Sequence, residues 1–222
     1  MEKKLPIFYA TVNDDLTGME LKQQGIQNIA LVDAPAMMQD WLMFSAHNPG
    51  LISFELCEEN TAVPNNLEFK MAIQEEQRIV TAPVIIADLP IYRKVPNPNN
   101  PAMFEEFYVV YKKETNMQIL QKYMLDGNQK KVKLTHDTTD LSKGVFVFEV
   151  FISDESRGIQ APKGFDLPDG TIYCSMKIDN PEIWDKVKKG EVKGISLEGF
   201  FDLQQEVTLS QNEIEAIINA II

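Results

Sequence analysis

Residues that bind metals or exchange protons near neutral pH are scarce in this chain. Its 222 residues include two histidines, His47 and His136, and two cysteines, Cys57 and Cys174. Neither pair stands at a metal-ligand spacing, which leaves little from which to build a zinc site. No metal and no cofactor are expected. The two thiols fit a reducing compartment, packed as small apolar groups. The basic stretch at Lys130, Lys131 and Lys133 is short, and acids outnumber basic residues overall, for a formal net charge of -12. Tracking a phosphate backbone takes clustered Lys and Arg, so no nucleic-acid partner is expected. Apolar runs fall short of the ~20 residues that span a membrane. The opening Met1-Glu2-Lys3-Lys4-Leu5-Pro6 lacks the apolar run of a secretory signal. The expectation is a soluble protein made in the cytosol, with no membrane partner.

What the chain has in quantity is apolar runs of strand length: Ile26 to Val32, Arg78 to Ala87, Phe107 to Lys112, Gly144 to Ile152, Thr171 to Ile178 and Val192 to Leu203. The run from Val145 to Ile152 is apolar on both faces apart from Glu149, the pattern of a central strand. Four segments carry helix signals. Asp33-Ala34-Pro35 opens one into Met37, Met38, Trp41 and Leu42. A second runs from Thr115 to Leu125 and stops at Asp126-Gly127. The third has Asn180 as N-cap, Pro181 in the first turn, Glu182 at the positive end, and Lys186, Lys188 and Lys189 before Gly190. The fourth starts with Ser210 and Glu213 in a capping-box pattern and carries Ile214, Ile217, Ile218 and Ile221 as a stripe. Pro90 to Pro101 reads as loop, and Ser153 to Gly170 as an extended connection between two strands. The fold class is therefore α+β, rich in strands, with flanking helices. Its expected organisation is an N-terminal β-rich region with one helix over residues 1–75, packed on a core over 76–205, and a C-terminal amphipathic helix over 206–222.

Few residues could carry chemistry. A hydroxyl nucleophile needs a base within hydrogen-bond reach, most often histidine. His47 lies between a predicted helix and a turn, a surface position. His136 ends the run Val132-Lys133-Leu134-Thr135 and opens a polar loop, where catalytic groups tend to sit, although a solvated loop histidine reads the same way. Ser196 stands in Lys193-Gly194-Ile195-Ser196-Leu197-Glu198-Gly199-Phe200, an apolar strand with small neighbours that let a substrate backbone approach closely. A strand bulged at glycine, its hydroxyl bonded to backbone, gives the same pattern.

Three ordered blocks carry a family resemblance. The first is Ile29-Ala30-Leu31-Val32-Asp33-Ala34-Pro35-Ala36. The second is Val84-Ile85-Ile86-Ala87-Asp88-Leu89-Pro90-Ile91-Tyr92-Arg93, followed by Phe107 to Tyr111. The third runs from Leu134-Thr135-His136-Asp137 through Val145 to Ile152, Pro168-Asp169-Gly170-Thr171 and Met176 to Asn180, then through Trp184 and Val187 to Gly194, and ends at Ile195-Ser196-Leu197-Glu198-Gly199-Phe200-Phe201. In order and spacing the chain resembles the XkdF-like prohead (capsid-maturation) serine proteases of tailed phages, which are related to herpesvirus assemblin-type proteases. The resemblance implies an assemblin-like β-barrel core. It also implies an acyl-transfer endopeptidase, expected to cleave itself, in which Ser196 is the nucleophile and His136 the base, with backbone N–H groups stabilising the oxyanion.

The third catalytic residue is expected to be Glu149, the lone acid of an apolar strand, where burial without a partner is costly. Glu198 is the alternative, two positions from Ser196 in one strand. Glu206 stays open as an acid after the nucleophile, and Asp137 is set aside because adjacency to His136 gives poor geometry. The implied partners are capsid and scaffold proteins and a possible second copy of the chain, inside the viral prohead in the host cytoplasm. The chain stops soon after Ser196, so any scaffold segment is expected to be a separate protein, and the isoleucine stripe is expected to dock on the chain's own body. A non-enzymatic capsid-assembly or virion protein that keeps the fold is the alternative function.

Overall fold

The computed structural model describes residues 3–12, 29–31, 53–57, 71–97, 100–130, 132, 134, 144–198 and 200–222. Among them are the strands β1 (Lys4–Val12), β2 (Ile29–Leu31), β3 (Ser53–Cys57), β4 (Ala72–Gln74), β5 (Ile79–Ile85), β6 (Ile91–Asn97), β7 (Asn100–Val110), β8 (Val145–Ile152), β9 (Ile172–Ile178), β10 (Gly194–Glu198) and β11 (Phe200–Ser210). The helices are α1 (Lys113–Leu125), α2 (Pro181–Lys188) and α3 (Gln211–Ile221). The strands form a five-stranded sheet in the order β2-β11-β1-β7-β6, a four-stranded sheet β4-β5-β9-β8 and the pair β10-β3. The architecture is α+β and strand-rich, and the described residues contain no closed barrel. The helix expected after Asp33 lies outside the described residues.

The five-stranded sheet has a core on each face. In β1, Phe8 and Ala10 point one way and Leu5 and Ile7 the other, the period of two that a strand imposes. β7 does the same, with Phe107 and Val109 on one face and Tyr108 and Val110 on the opposite one. The larger core joins this sheet to the four-stranded one through Val80, Val145, Cys174 and Met176, and α1 and α2 add Ile119, Tyr123, Trp184 and Val187. Edge-to-face rings, Phe8 on Phe107 at 5.2 Å and Tyr111 on Phe201 at 5.4 Å, fill its centre. The smaller core lies beneath α3, where Ile214 and Ile218 are buried against Leu5, Ile7, Tyr108 and Val110. The isoleucine stripe thus docks on the chain's own body, with Ile217 left 37% exposed.

Local chemistry sets the helix ends. At α2, Asn180 Oδ1 accepts from the N–H groups of Glu182 (3.0 Å) and Ile183 (3.3 Å), and Pro181 occupies the first turn. At α3 the Ser210 N–H donates to Glu213 Oε2 (2.8 Å) while the Glu213 N–H donates to Ser210 Oγ, so the predicted capping box forms. The helix begins at Gln211, and residues 206–210 continue β11. α1 starts at Lys113 without a side-chain cap. Tertiary bonds anchor its first turn instead: Thr115 Oγ1 donates to Ala10 O (2.9 Å) and Asn116 Nδ2 to Gly170 O (2.9 Å).

Three sequence expectations change. Pro90 to Pro101 holds most of a β-hairpin rather than a loop. Among the described residues β6 is an outer strand of its sheet, the position where proline is tolerated. The turn is closed by Asn97, whose Oδ1 accepts from the Asn100 N–H at 3.0 Å. The run Val192 to Leu203 is two strands in different sheets, β10 and β11.

The third change concerns β8, which is an outer strand rather than a central one among the described residues. Its register passes from Val147 opposite Met176 to Glu149 opposite Ser175, so Phe148 is the extra residue of a β-bulge. Strict alternation from Val145 would put Glu149 in the core. The bulge moves every later residue to the other face. Val145, Val147 and Ile152 are buried, whereas Phe148 and Glu149 are exposed. The burial expected of Glu149 therefore does not occur.

Deleting Phe148 removes only the extra residue, so Val147, Glu149, Val150 and Ile152 should keep their present partners and faces in a regular ladder. Adding Glu149→Val to the deletion should then change stability little, as read by urea unfolding. A recovery of roughly 3 kcal/mol on adding Glu149→Val, the scale of an uncompensated buried charge, would show the carboxylate driven inward and contradict this account of the strand.

Candidate functional site

Ser196 lies at the middle of β10. The strand pairs antiparallel with β3, placing Ser196 opposite Glu55, Ile195 opposite Leu56 and Gly194 opposite Cys57. Ile195 and Leu197 belong to the larger core, so alternation turns Ser196 to the other face. That face is closed in as well, for Ser196 is 6% exposed. Next to it, a Cβ added at Gly194 would meet nothing within 4 Å, so one end of the strand keeps open space along its backbone. β10 also packs against β5, which connects the two-stranded pair to the four-stranded sheet.

His136 and Asp137 fall outside the described residues. Two positions before His136, Leu134 makes a parallel bridge to Leu56, the residue opposite Ile195. At Leu134 the chain therefore lies alongside β3 and across it from β10, about 10 Å from that strand at ordinary strand spacing.

The candidate acids are dispersed. Glu198 is the last residue of β10, paired with Ser53. Glu206 sits in β11 at a register shift against β1, between Val207 opposite Ile7 and Gln205 opposite Phe8. Glu149 is on β8, beyond β9 from β5. Its Oε2 accepts from Ser175 Oγ at 2.8 Å, and Ser175 Oγ is 2.9 Å from Thr81 Oγ1. Ser175 and Thr81 were not singled out from sequence. The available signal was a lone hydroxyl, Ser175, in the apolar strand Tyr173-Cys174-Ser175-Met176. Cys174 is fully buried in the core, and burial, with a smaller contribution from the Glu149 charge, pushes its thiol far up. It is no candidate nucleophile, because the thiolate is the reactive form.

The densest ionic cluster in the described structure fastens the connection between β8 and β9 to the start of α1. Lys113 Nζ donates to Asp154 Oδ1 (2.9 Å) and Asp169 Oδ2 (2.6 Å). Asp154 also accepts from Ser156 Oγ (2.7 Å) and Arg157 Nε (2.7 Å), and Asp169 Oδ1 from the Glu155 N–H (3.0 Å). Gly170, at φ +91°, brings the chain so close that a Cβ there would lie 2.6 Å from Lys113 Cβ. These bonds hold Asp154 well below the usual carboxylate range, with Ser156 the first cause and Lys113 the second. Lys113 also lowers Asp169, and Asp169 leads in raising Lys113. The resulting group is a fixed, ionised clamp, with its lysine committed to the cation. The Tyr173 hydroxyl, buried near the rings of Phe151 and Phe165, is pushed up to about 12, chiefly by burial.

The sequence matches no protein-family model, and neither a curated protein nor a solved structure is significantly similar to it. Among the described residues, no helix is long and apolar enough to cross a membrane.

The clamp gives stability a defined acid dependence. Asp154 and Asp169 have folded-state values below their unfolded ones, so the unfolded chain takes up protons first as pH falls. Their contribution is complete above the ordinary carboxylate range and declines as pH drops toward the folded values. Lys113, raised, contributes on the alkaline side until pH passes its own folded value. Lys113→Met should lower the urea midpoint at pH 7 and flatten its decline between pH 5 and 3. A midpoint profile parallel to that of the parent protein would rule out this role.

Proposed function

We propose that the chain is a serine endopeptidase of the phage prohead-maturation type. The reading is supported by the order of the three sequence blocks. The observation that carries it is the placement of Ser196 on β10, one strand across from the segment that ends at Leu134, two residues before His136. In this reading the four-stranded sheet and the pair β10-β3, which meet where β10 packs against β5, build an assemblin-like barrel core. In the same reading His136 supplies the base.

The chemistry is acyl transfer. Ser196 Oγ attacks the scissile carbonyl carbon as His136 takes its proton, and the tetrahedral oxyanion collapses as His136 returns the proton to the leaving amine. Water then repeats the sequence on the acyl-serine. Of the two leading acids for orienting His136, Glu149 on β8 already accepts from the Ser175 hydroxyl, whereas Glu198 shares the strand of Ser196. We assign the acid to Glu198. The substrates are scaffold and capsid-protein segments and the chain itself, inside the prohead. A non-enzymatic capsid-assembly role is the second reading, favoured by one observation, the 6% exposure of Ser196.

Ser196→Ala and His136→Ala should each abolish self-cleavage and scaffold cleavage, a loss of at least about a thousandfold. Glu198→Gln should cost less than either. A serine-directed phosphonate should label Ser196 in assembled particles of the parent protein. Unchanged processing in Ser196→Ala would end the protease reading, and absence of phosphonate labelling would favour the assembly role.

A further inference from the structure

Besides the Ser196 strand, the outer face of β8 has the features of a built recognition surface. Cross-strand register puts Phe146 opposite Lys177, Glu149 opposite Ser175 and Phe151 opposite Tyr173, so these pairs share one face. Phe146 is 37% exposed and Phe148 50%. Glu149 is exposed beside them because of the bulge. A carboxylate present only for solubility needs no anchoring. This one is held by Ser175 Oγ, a hydroxyl on a residue 1% exposed that is itself braced by Thr81 Oγ1 at 2.9 Å. The bond fixes Oε2 and leaves Oε1 available. The neighbouring cation is committed elsewhere: Lys177 Nζ lies 3.1 Å from Asp179 Oδ1 and donates to Gln77 O.

We propose that this face binds a basic side chain, arginine before lysine, presented by an extended apolar segment of a partner protein. An oriented carboxylate matches a planar guanidinium. Flanking phenyl rings take the aliphatic stem and the face of the cation. Outer strands are normally blunted by lysine or proline, yet Val145–Ile152 contains neither. Charge selects the occupant. At a net -12 the chain repels its own copies, whereas a basic partner segment is attracted. The proposal stands whether or not Ser196 is a nucleophile, because it uses none of the residues assigned to the acyl transfer.

The probe is the peptide acetyl-Leu-Arg-Leu-Arg-Leu-amide, titrated into the whole 15N-labelled chain, with acetyl-Leu-Glu-Leu-Glu-Leu-amide as control. Saturable shifts are expected in the amides of residues 145–151 and 173–177 with the arginine peptide and not with the glutamate one. Glu149→Gln should weaken binding about tenfold, the equivalent of one charged hydrogen bond. Ser175→Ala should weaken it less, by releasing the carboxylate without removing it. Both sites can be checked for folding by their unchanged amide spectrum elsewhere. If Ser175→Ala disturbs the sheet, Phe146→Ser with Phe148→Ser supplies a second loss-of-binding variant. Shifts confined to other strands, equal binding of both peptides, or undiminished binding by Glu149→Gln would overturn the proposal. So would shifts of these amides on concentrating the protein alone, which would assign the face to a second copy.

Discussion

The structure depends on one strand having a core on each side. β1 is hydrogen-bonded antiparallel to β11 along its length and parallel to β7 over Ile7 to Tyr9. Its alternate residues enter two separate apolar clusters, one shared with the four-stranded sheet and one closed by α3. Burial of a single aliphatic side chain is worth about 1.5–3 kcal/mol, and β1 contributes Leu5, Ile7, Phe8 and Ala10 within six positions. Three larger features attach to this strand. α1 is anchored on its Ala10 carbonyl, β7 brings the hairpin beside it, and β11 brings α3 to its outer face.

Much of this was legible in the sequence where the controlling interaction is local. The caps of α2 and α3 depend on residues three apart, and both are read directly from Asn180 and Ser210. The strand pairs around Ile79–Ile85 and Ile172–Ile178 show as apolar runs, and the connection from Ser153 to Gly170 shows as spaced glycines and prolines. What escaped reading depends on distant partners. Pro96 is tolerated because β6 is an outer strand, a property of the sheet rather than of the segment. Lys113, Asp154 and Asp169 meet across more than forty residues of chain, and no spacing rule connects them. The bulge at Phe148 is the sharpest case. One inserted residue reverses the meaning of all later positions in β8, and periodicity alone assigns Glu149 to the wrong face.

The candidate site divides in the same way. Ser196 stands out by its small neighbours and its apolar strand, and it lies buried at the middle of β10. The choice of acid rested on an expected burial that the bulge cancels. The two acidic positions are chemically different: Glu198 lies in the strand of Ser196, and the bulge makes Glu149 an exposed carboxylate bonded to a buried hydroxyl. A rigid ionic clamp at Lys113 and a relay through Ser175 both converge on β8 and β9. That sheet is the part of the protein with the most fixed polar geometry.

The pairing of Lys4 with Ser210 has a consequence for how the protein comes into being. The central strand of the five-stranded sheet finds its longest partner only after roughly two hundred further residues have been made. During synthesis β1 therefore waits with two apolar faces uncovered, beside a β7 that offers it only a short parallel ladder. Non-local pairing of this kind slows folding, since the entropy of closing the loop is lost before the contacts return it. The sheet cannot close before the segment that also carries α3 is present, so the second core depends on the same distant pairing.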